Sequence, residues 1–247
     1  MNKNRIKNKN KDACKRLITV DPNKCTKISM EMGFLKANVM GGFVGFLAAG
    51  IAWAITIPFM GIVRYQILGT FLTEKAYKIA IKFTEIAQKL NIMQTLSYEQ
   101  ALTVRDISYA IFVVGFFIAL TILTILHEFT HKWVWQFGFD KETKRKGFKI
   151  GIKKLTPYCH CKIDMSLKKM ILGTIAPTIT TGLLVVMIGA FLQDPILVIL
   201  GLFGVVAGGA DQTQVLMLLP YLKKAKKKRI ICGDLEDAFG CILYIEN

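Results

Sequence analysis

The chain has 247 residues, of which 53% are hydrophobic, and its mean hydropathy is +0.41. This composition is too apolar for an ordinary soluble domain, and the long uncharged stretches are typical of membrane spans. The formal net charge of +16 favours an anionic partner, such as a membrane surface or a nucleic acid.

The N-terminal segment, residues 1–38, is basic and polar, and we predict that it is a disordered cytoplasmic tail. So long a polar stretch before the first apolar run does not fit a cleavable signal peptide. A nucleic-acid-binding arm is one interpretation of this tail. A tail held at an anionic membrane face is the favoured interpretation, so no nucleic acid is expected.

Four apolar stretches are each long enough to cross a bilayer. A hydrocarbon core of about 30 Å needs roughly 20 helical residues, and within lipid the backbone must satisfy its own hydrogen bonds. We therefore predict an all-α membrane protein with four transmembrane helices, in a domain that covers residues 39–222. The predicted spans are residues 39–63, 107–135, 170–193 and 195–222.

Between the first two spans, residues 72–93 carry apolar side chains at alternating spacings of four and three. These are Leu72, Ala76, Ile79, Phe83, Ile86, Leu90 and Met93. The spacing places one apolar stripe on a helix. It predicts an outer amphipathic helix that lies on the membrane or packs over the bundle, with a substrate gate as the alternative.

The segment after the second span has the alternation of a strand. Phe148, Ile150 and Ile152 are apolar and alternate with Lys149 and Gly151. A proline then interrupts the pattern, and residues 158–163 can form a second short strand. We predict a small β-hairpin at the cytoplasmic face of the membrane.

The 33 basic residues are distributed unevenly along the chain. Residues 1–38 and 136–169 hold ten each, whereas the turn at Asp194 and Pro195 holds none. Because cytoplasmic loops are rich in Lys and Arg, we predict a cell-membrane protein with both termini in the cytoplasm and a basic C-terminal tail over residues 223–247. All six cysteines fall on this reducing side, which predicts free thiols.

The sequence HEFTH, residues 127–131, lies near the end of the second predicted span. Residues four apart share one face of a helix, so its two histidines can bind one metal ion. Glu128 beside them can reach a metal-bound water, which is the arrangement of zinc peptidases with two His ligands and a Glu general base. The alternative is a solvated polar helix end, with Trp133 and Trp135 at the membrane interface.

A catalytic zinc site normally has three protein ligands and one open position. Asp211 is the only charged residue of the last predicted span, and a rise of 1.5 Å per residue puts it at a depth similar to that of His127. His160 is the rival ligand, and together with Cys159 and Cys161 it could contact metal or substrate. Residues 159–161 are neighbours on a predicted strand, where adjacent side chains point to opposite faces, so they converge poorly on one ion. An unpaired carboxylate within a span is costly, so Asp211 is the favoured third ligand.

These residues resemble the putative zincin peptidases, a family of small bacterial membrane proteins, and more distantly the site-2 proteases. The resemblance extends from the second to the fourth predicted span. It is carried by residues 127–131, residues 158–162, Pro177 and the small residues that lead to Asp211. It implies zinc held by both histidines and Asp211, with Glu128 catalytic.

The sequence departs from the site-2 proteases after the aspartate, where Gln212 stands in place of their Gly, and it lacks their Asn-Pro element. The predicted function is that of a zinc metallopeptidase that hydrolyses peptide bonds of membrane or membrane-associated proteins, with Glu128 assisting attack by zinc-bound water. A metal carrier or sensor without hydrolysis is the alternative, and a metal-free structural protein is the third hypothesis. Glycines in the first span would also permit a homodimer.

Overall fold

The computed structural model describes residues 25–60, 98–153, 156–235 and 239–246, and the isolated positions 78, 81, 82, 85, 86 and 89. The predicted outer helix over residues 72–93 lies, apart from those positions, outside the described residues. In chain order the elements are β1 (Cys25–Met32), α1 (Phe34–Met60), α2 (Tyr98–Gln136), α3 (Lys141–Gly147), β2 (Phe148–Lys153), β3 (Thr156–Cys161), β4 (Met165–Ser166), α4 (Leu167–Pro177), a π-helical segment (Thr178–Leu183), α5 (Leu184–Phe191), α6 (Pro195–Ala207), α7 (Gly209–Leu218), α8 (Tyr221–Lys224), β5 (Ile230–Asp234) and β6 (Phe239–Glu246).

The described chain is mostly helical and contains three helices that are long and apolar enough to cross a membrane. They cover Leu35–Met60, Asp106–Gln136 and Leu167–Phe191. A fourth span is present if α6 and α7, which are bent by 48° relative to each other, count as one. The predicted apolar helices are therefore present, and three or four of them are candidate membrane spans.

A four-stranded antiparallel sheet, in the order β1-β6-β5-β4, was not predicted. Its first strand lies within the predicted disordered tail, and that prediction is wrong for Cys25–Met32. The physical reason is an alternation in which Ile28, Met30 and Met32 are less exposed than their polar neighbours. The predicted C-terminal tail likewise contains β5 and β6.

The predicted β-hairpin is confirmed, because β2 and β3 pair in antiparallel fashion with Ile150 opposite Cys159. It lies against α2. The five described cysteines are free thiols, as predicted, and Cys14 lies outside the described residues.

The main apolar core forms where the four-stranded sheet and the hairpin meet the ends of the long helices. Its buried members are Trp135, Phe148, Cys161, Ile163, Met165, Leu167, Met170, Leu218, Ile230, Cys232, Cys241, Leu243 and Ile245. Contributions come from α2, α4 and α7 as well as from five strands. This core therefore fixes the hairpin next to the end of α2 that carries the two histidines.

Candidate metal centre

The two histidines of α2 are buried, with His127 6% and His131 5% exposed. Trp135 is also buried and stacks on the imidazole of His131, with ring centroids 5.0 Å apart and planes 18° from parallel. Only Trp133, which is 75% exposed, fits the interfacial position expected of both tryptophans. The histidines are therefore not a solvated helix end.

Asp211 lies directly against both imidazoles. Its Oδ2 atom is 2.9 Å from Nε2 of His127 and 3.3 Å from Nε2 of His131. The depth argument from the sequence placed the aspartate and the first histidine at the same level, and the structure brings them into contact. One carboxylate oxygen of Asp211 thus lies next to the Nε2 atoms of two histidines that are one helical turn apart.

The backbone of the third span fixes the orientation of His131. Nδ1 of this ring is 2.8 Å from the carbonyl oxygen of Gly173. That carbonyl lies four residues before Pro177, which has no N–H to donate to it, and the N–H of Thr178 bonds to Ile175 instead. A carbonyl only accepts hydrogen bonds, so Nδ1 of His131 carries the proton and Nε2 of the neutral ring carries a lone pair.

The π-helical segment holds the second imidazole in a similar way. Thr181 donates its hydroxyl to the carbonyl of Pro177 at 2.8 Å, so its oxygen can accept from Nδ1 of His127, which is 3.5 Å away. Both rings therefore have their Nδ1 atoms engaged by the third span and present Nε2 to Asp211. Partners of this kind set the tautomer and orientation of metal-binding histidines.

This donor set fits a zinc ion. Two imidazole lone pairs and a carboxylate oxygen repel one another unless a proton or a cation lies between them. Ligands at 2.0–2.1 Å around a tetrahedral ion are separated by about 3.3 Å, which matches the 3.3 Å between Asp211 and His131, whereas the 2.9 Å between Asp211 and His127 is shorter. Two nitrogens and one carboxylate also form a ligand type found in catalytic zinc sites, which leave the fourth position open.

A break between α6 and α7 directs Asp211 toward the histidines. Gly208 ends α6, and Asp211 lies in the first turn of α7, where the helix dipole favours a negative charge. Gln212 donates its side-chain amide to the carbonyl of Val205 at 2.8 Å, across the bend. This bond gives Gln212 a structural role at the position where site-2 proteases have Gly.

Helix α1 packs closely on the same bend. A side chain at Gly41 would meet the backbone nitrogen of Ala210 at 2.8 Å, and one at Gly45 would meet the carbonyl oxygen of Val206 at 2.7 Å. Glycine at these two positions therefore lets α1 support the chain on both sides of Gly208.

Glu128 lies beside the two imidazoles, and one ligand atom from each of these three residues falls within 4.8 Å of the others. The carboxylate is partly buried. Strand β3 runs next to it, and the backbone N–H of Cys159 is close enough to the carboxylate to interact with it. Burial, and then the charge of Glu128, raise the pKa of the Cys159 thiol to about 12, so this thiol is a poor metal ligand at neutral pH.

His160 and Cys161, the rival metal residues, both contact Asp234. Nδ1 of His160 is 2.8 Å from Oδ2 of Asp234 in β5, and the same oxygen accepts the backbone N–H of Cys161 at 3.0 Å. The Cys161 side chain belongs to the main core. These two residues therefore join the hairpin to the four-stranded sheet.

Gly173, Thr178 and Thr181 were missed by reasoning from sequence. Thr178 is 4% exposed, and its hydroxyl has no hydrogen-bond partner in the part of the chain that the structure describes. A side chain at Gly208 would meet this hydroxyl oxygen at 2.3 Å and the His127 ring at 3.5 Å, so Thr178 borders the site. The sequence carried one signal for these residues, Pro177, because all three lie within four positions of it.

The model of one protein family, described as Putative zincin peptidase, matches residues 120–229. No curated protein and no solved structure matches the chain. The match covers the described site in full, from the HEFTH sequence through Asp211. Together with the His-Glu-x-x-His group, which could hold a metal ion, it indicates a metallopeptidase. This match agrees with the resemblance predicted from the sequence, and residues 120–229 are similar to the family described as Putative zincin peptidase.

Proposed function

We propose that the protein is a membrane-embedded zinc peptidase that hydrolyses peptide bonds of membrane or membrane-associated proteins. The observation that carries this proposal is the convergence of Nε2 of His127, Nε2 of His131 and Oδ2 of Asp211, with Glu128 beside them. We assign these three groups as the zinc ligands and Glu128 as the general base.

The roles of the residues follow from their positions. Zinc, when bound, supplies a Lewis acid that polarises the scissile carbonyl and brings the pKa of a water to about 7. Glu128 takes a proton from the attacking water and later delivers it to the leaving amine. The amide of Cys159 next to this carboxylate restricts its orientation, and the Nδ1 partners of the histidines keep both Nε2 atoms available.

An extended substrate segment fits along β3. The backbone N–H of Cys159 faces Glu128, so this part of the outer edge of β3 borders the proposed catalytic centre. The N–H of Cys161 is already accepted by Asp234. A substrate strand that paired with the edge would pass Glu128, and main-chain pairing of this kind is tolerant of substrate sequence. Peptides and membrane proteins are the substrate class that this arrangement favours.

We place the protein in the cell membrane with both termini in the cytoplasm. The pairing of β1 with β6 supports a common side for the two ends of the described chain. The excess of basic residues in residues 1–38 and 136–169 supports the cytoplasm as that side.

The test compares Glu128→Gln with the wild type in liposomes that contain bacterial membrane proteins. New protein amino termini are labelled and counted by mass spectrometry, and zinc per chain is measured in parallel. We expect Glu128→Gln to keep its zinc and to release at least about 100-fold fewer new termini, the usual effect of losing a general base. Glu142→Gln is the matched control, because Glu142 is exposed and pairs with Lys146 in α3.

If Glu128→Gln cleaves as well as the wild type, the proposed mechanism is wrong. Zinc binding without cleavage by the wild type would favour the carrier or sensor instead, and the absence of zinc from the wild type would favour a structural protein.

A further inference from the structure

A cavity of about 190 Å³ opens beside His127, on the side of this residue that faces the N-terminus of α2. On α2 it is bordered by residues at positions 120, 123, 124 and 127, which form one helical stripe ending at the proposed zinc ligand. Phe203, Gly204 and Ala207 of α6 line the opposite side, and Thr181 lines the end next to the histidine.

The polar groups of this wall are already engaged. Thr124 donates its hydroxyl to the carbonyl of Leu120 at 2.8 Å, and Thr181 donates to the carbonyl of Pro177 at 2.8 Å. Apart from the imidazole, the remaining lining is aliphatic, aromatic or glycine. Because the hydroxyl protons are used within the helices, the cavity offers its occupant an apolar surface.

The volume suits a single large side chain. An apolar cavity of about 150 Å³ can hold benzene, so 190 Å³ accommodates groups up to the size of a phenylalanine ring. Gly204 lets α6 pack closely on the π-helical segment at the cavity wall, because a side chain there would meet the carbonyl oxygen of Thr181 at 2.3 Å. The ring of Phe203, which lines the cavity, makes an edge-to-face contact with Phe116, with ring centroids 6.1 Å apart.

We infer that this cavity is a specificity pocket for one large apolar side chain, such as Leu or Phe, next to the scissile bond of the substrate. The inference rests on the proposed function, because His127 is both the end of the cavity and a proposed zinc ligand. The pocket extends along α2 into the apolar part of the helix, over about 10 Å between residues 120 and 127 at 1.5 Å per residue. An apolar transmembrane segment is therefore the favoured substrate.

The test uses simple hydroxamic acids, R–CO–NHOH, which chelate zinc and carry a side group of graded size. Their affinities for the zinc-loaded protein in detergent are measured by calorimetry, with R as methyl, isobutyl, benzyl or naphthylmethyl. In the wild type we expect benzyl to bind at least about tenfold more tightly than methyl, since each methylene placed in an apolar pocket contributes at least that much. Ala207→Leu fills the pocket and should bring this ratio to about one.

Two further variants complete the experiment. Ala110→Leu makes the same change at an exposed position of α2 that is not in the cavity lining, and it should keep the wild-type ratio. Phe203→Ala removes a ring from the cavity wall, at a residue that is 51% exposed. In this variant the affinity should rise further from the benzyl to the naphthylmethyl compound, and this result tests the pocket even if Ala207→Leu does not fold.

Equal ratios in the wild type and Ala207→Leu, or no dependence on R in the wild type, would overturn the pocket and leave the proposed function intact. If a lipid chain fills the cavity, the affinity should likewise not depend on R, and the pocket would be overturned in the same way. Failure of the methyl compound to bind the zinc-loaded wild type would overturn the proposed zinc site, and the pocket with it.

Discussion

At the scale of single residues, the site is explained by hydrogen bonds to the backbone of the third span. Pro177 leaves the carbonyl of Gly173 without its helical donor, and His131 takes that place. One missing N–H in one helix therefore selects the tautomer of an imidazole in another. Gly173 also has no side chain, and one there would meet the Trp135 ring at 2.0 Å, so the ring that stacks on His131 depends on the same residue.

Replacing Pro177 by alanine tests this explanation. Pro177→Ala restores an N–H that competes for the Gly173 carbonyl, so we expect zinc affinity to fall by about 10–100-fold, the usual effect of losing such a partner. The helix itself should become more stable, because an interior proline costs about 3 kcal/mol. Affinity is measured by competition with a chromogenic chelator.

Pro58→Ala is the matched control for that prediction, because Pro58 is an exposed proline inside α1. It should leave zinc affinity unchanged. A Pro177→Ala protein with wild-type affinity would show that the Gly173 carbonyl does not control His131.

Reasoning from the sequence singled out the HEFTH residues and Asp211 as a candidate site because their signals are local. A four-residue spacing on a helix and a lone carboxylate in an apolar run both stand out without any tertiary information. The partners of the histidines could not be found in this way. Thr181 and the Gly173 carbonyl become relevant only when the third span packs on the second, and the π-helical turn that places Thr181 is not marked by a periodic pattern.

At the scale of secondary-structure elements, the fourth apolar stretch, α6 and α7, is bent so that Asp211 approaches α2, and α1 supports the bend. Gly41 lies against Ala210 and Gly45 against Val206, so these glycines are used for packing within the chain. The glycines that suggested a homodimer in the sequence thus have an intramolecular role at two positions. Gly42, by contrast, faces open space.

This difference between neighbouring glycines yields a prediction. Gly41→Ala forces a methyl group against backbone atoms, and overpacking of this kind typically costs about 1–3 kcal/mol. We expect a lower melting temperature in detergent and weaker zinc retention during dialysis, because Asp211 shifts with the bend.

Gly42→Ala is the control, and it should be neutral or more stable by up to about 1 kcal/mol, since alanine favours a helix. Equal effects of the two substitutions would show that contact between α1 and the bend does not position Asp211.

At the scale of the whole molecule, the four-stranded sheet connects the ends of the long helices. β1 leads into α1, β4 leads into α4, and β5 follows the fourth apolar stretch. The sequence did not predict this sheet, because β1 and β6 are more than 200 residues apart and their pairing (Cys25 opposite Glu246) leaves no local signal. The alternating pattern in Cys25–Met32 was visible, but the surrounding basic residues favoured a tail.

Buried thiols make this part of the molecule sensitive to alkaline pH. Burial raises the pKa of Cys159 and Cys241 to about 12 and raises that of Cys161 and Cys232 as well. The fold favours the neutral thiols, so their contribution to stability is complete below the unfolded pKa of about 8.5 and is lost as the pH rises toward the folded values.

We therefore expect the midpoint of chemical denaturation to fall between pH 9 and pH 11. The fall should be smaller when Cys232 and Cys241 are both replaced by alanine. A pH dependence that is identical in the double variant and the wild type would show that these thiols do not cause it.

The most direct test of the central claim, a zinc ion held between the second and fourth apolar stretches, is the zinc content of purified Asp211→Ala beside that of His160→Ala. We predict one zinc per chain in the wild type, full zinc in His160→Ala, and loss of zinc in Asp211→Ala. Full zinc in Asp211→Ala together with loss in His160→Ala would contradict the account.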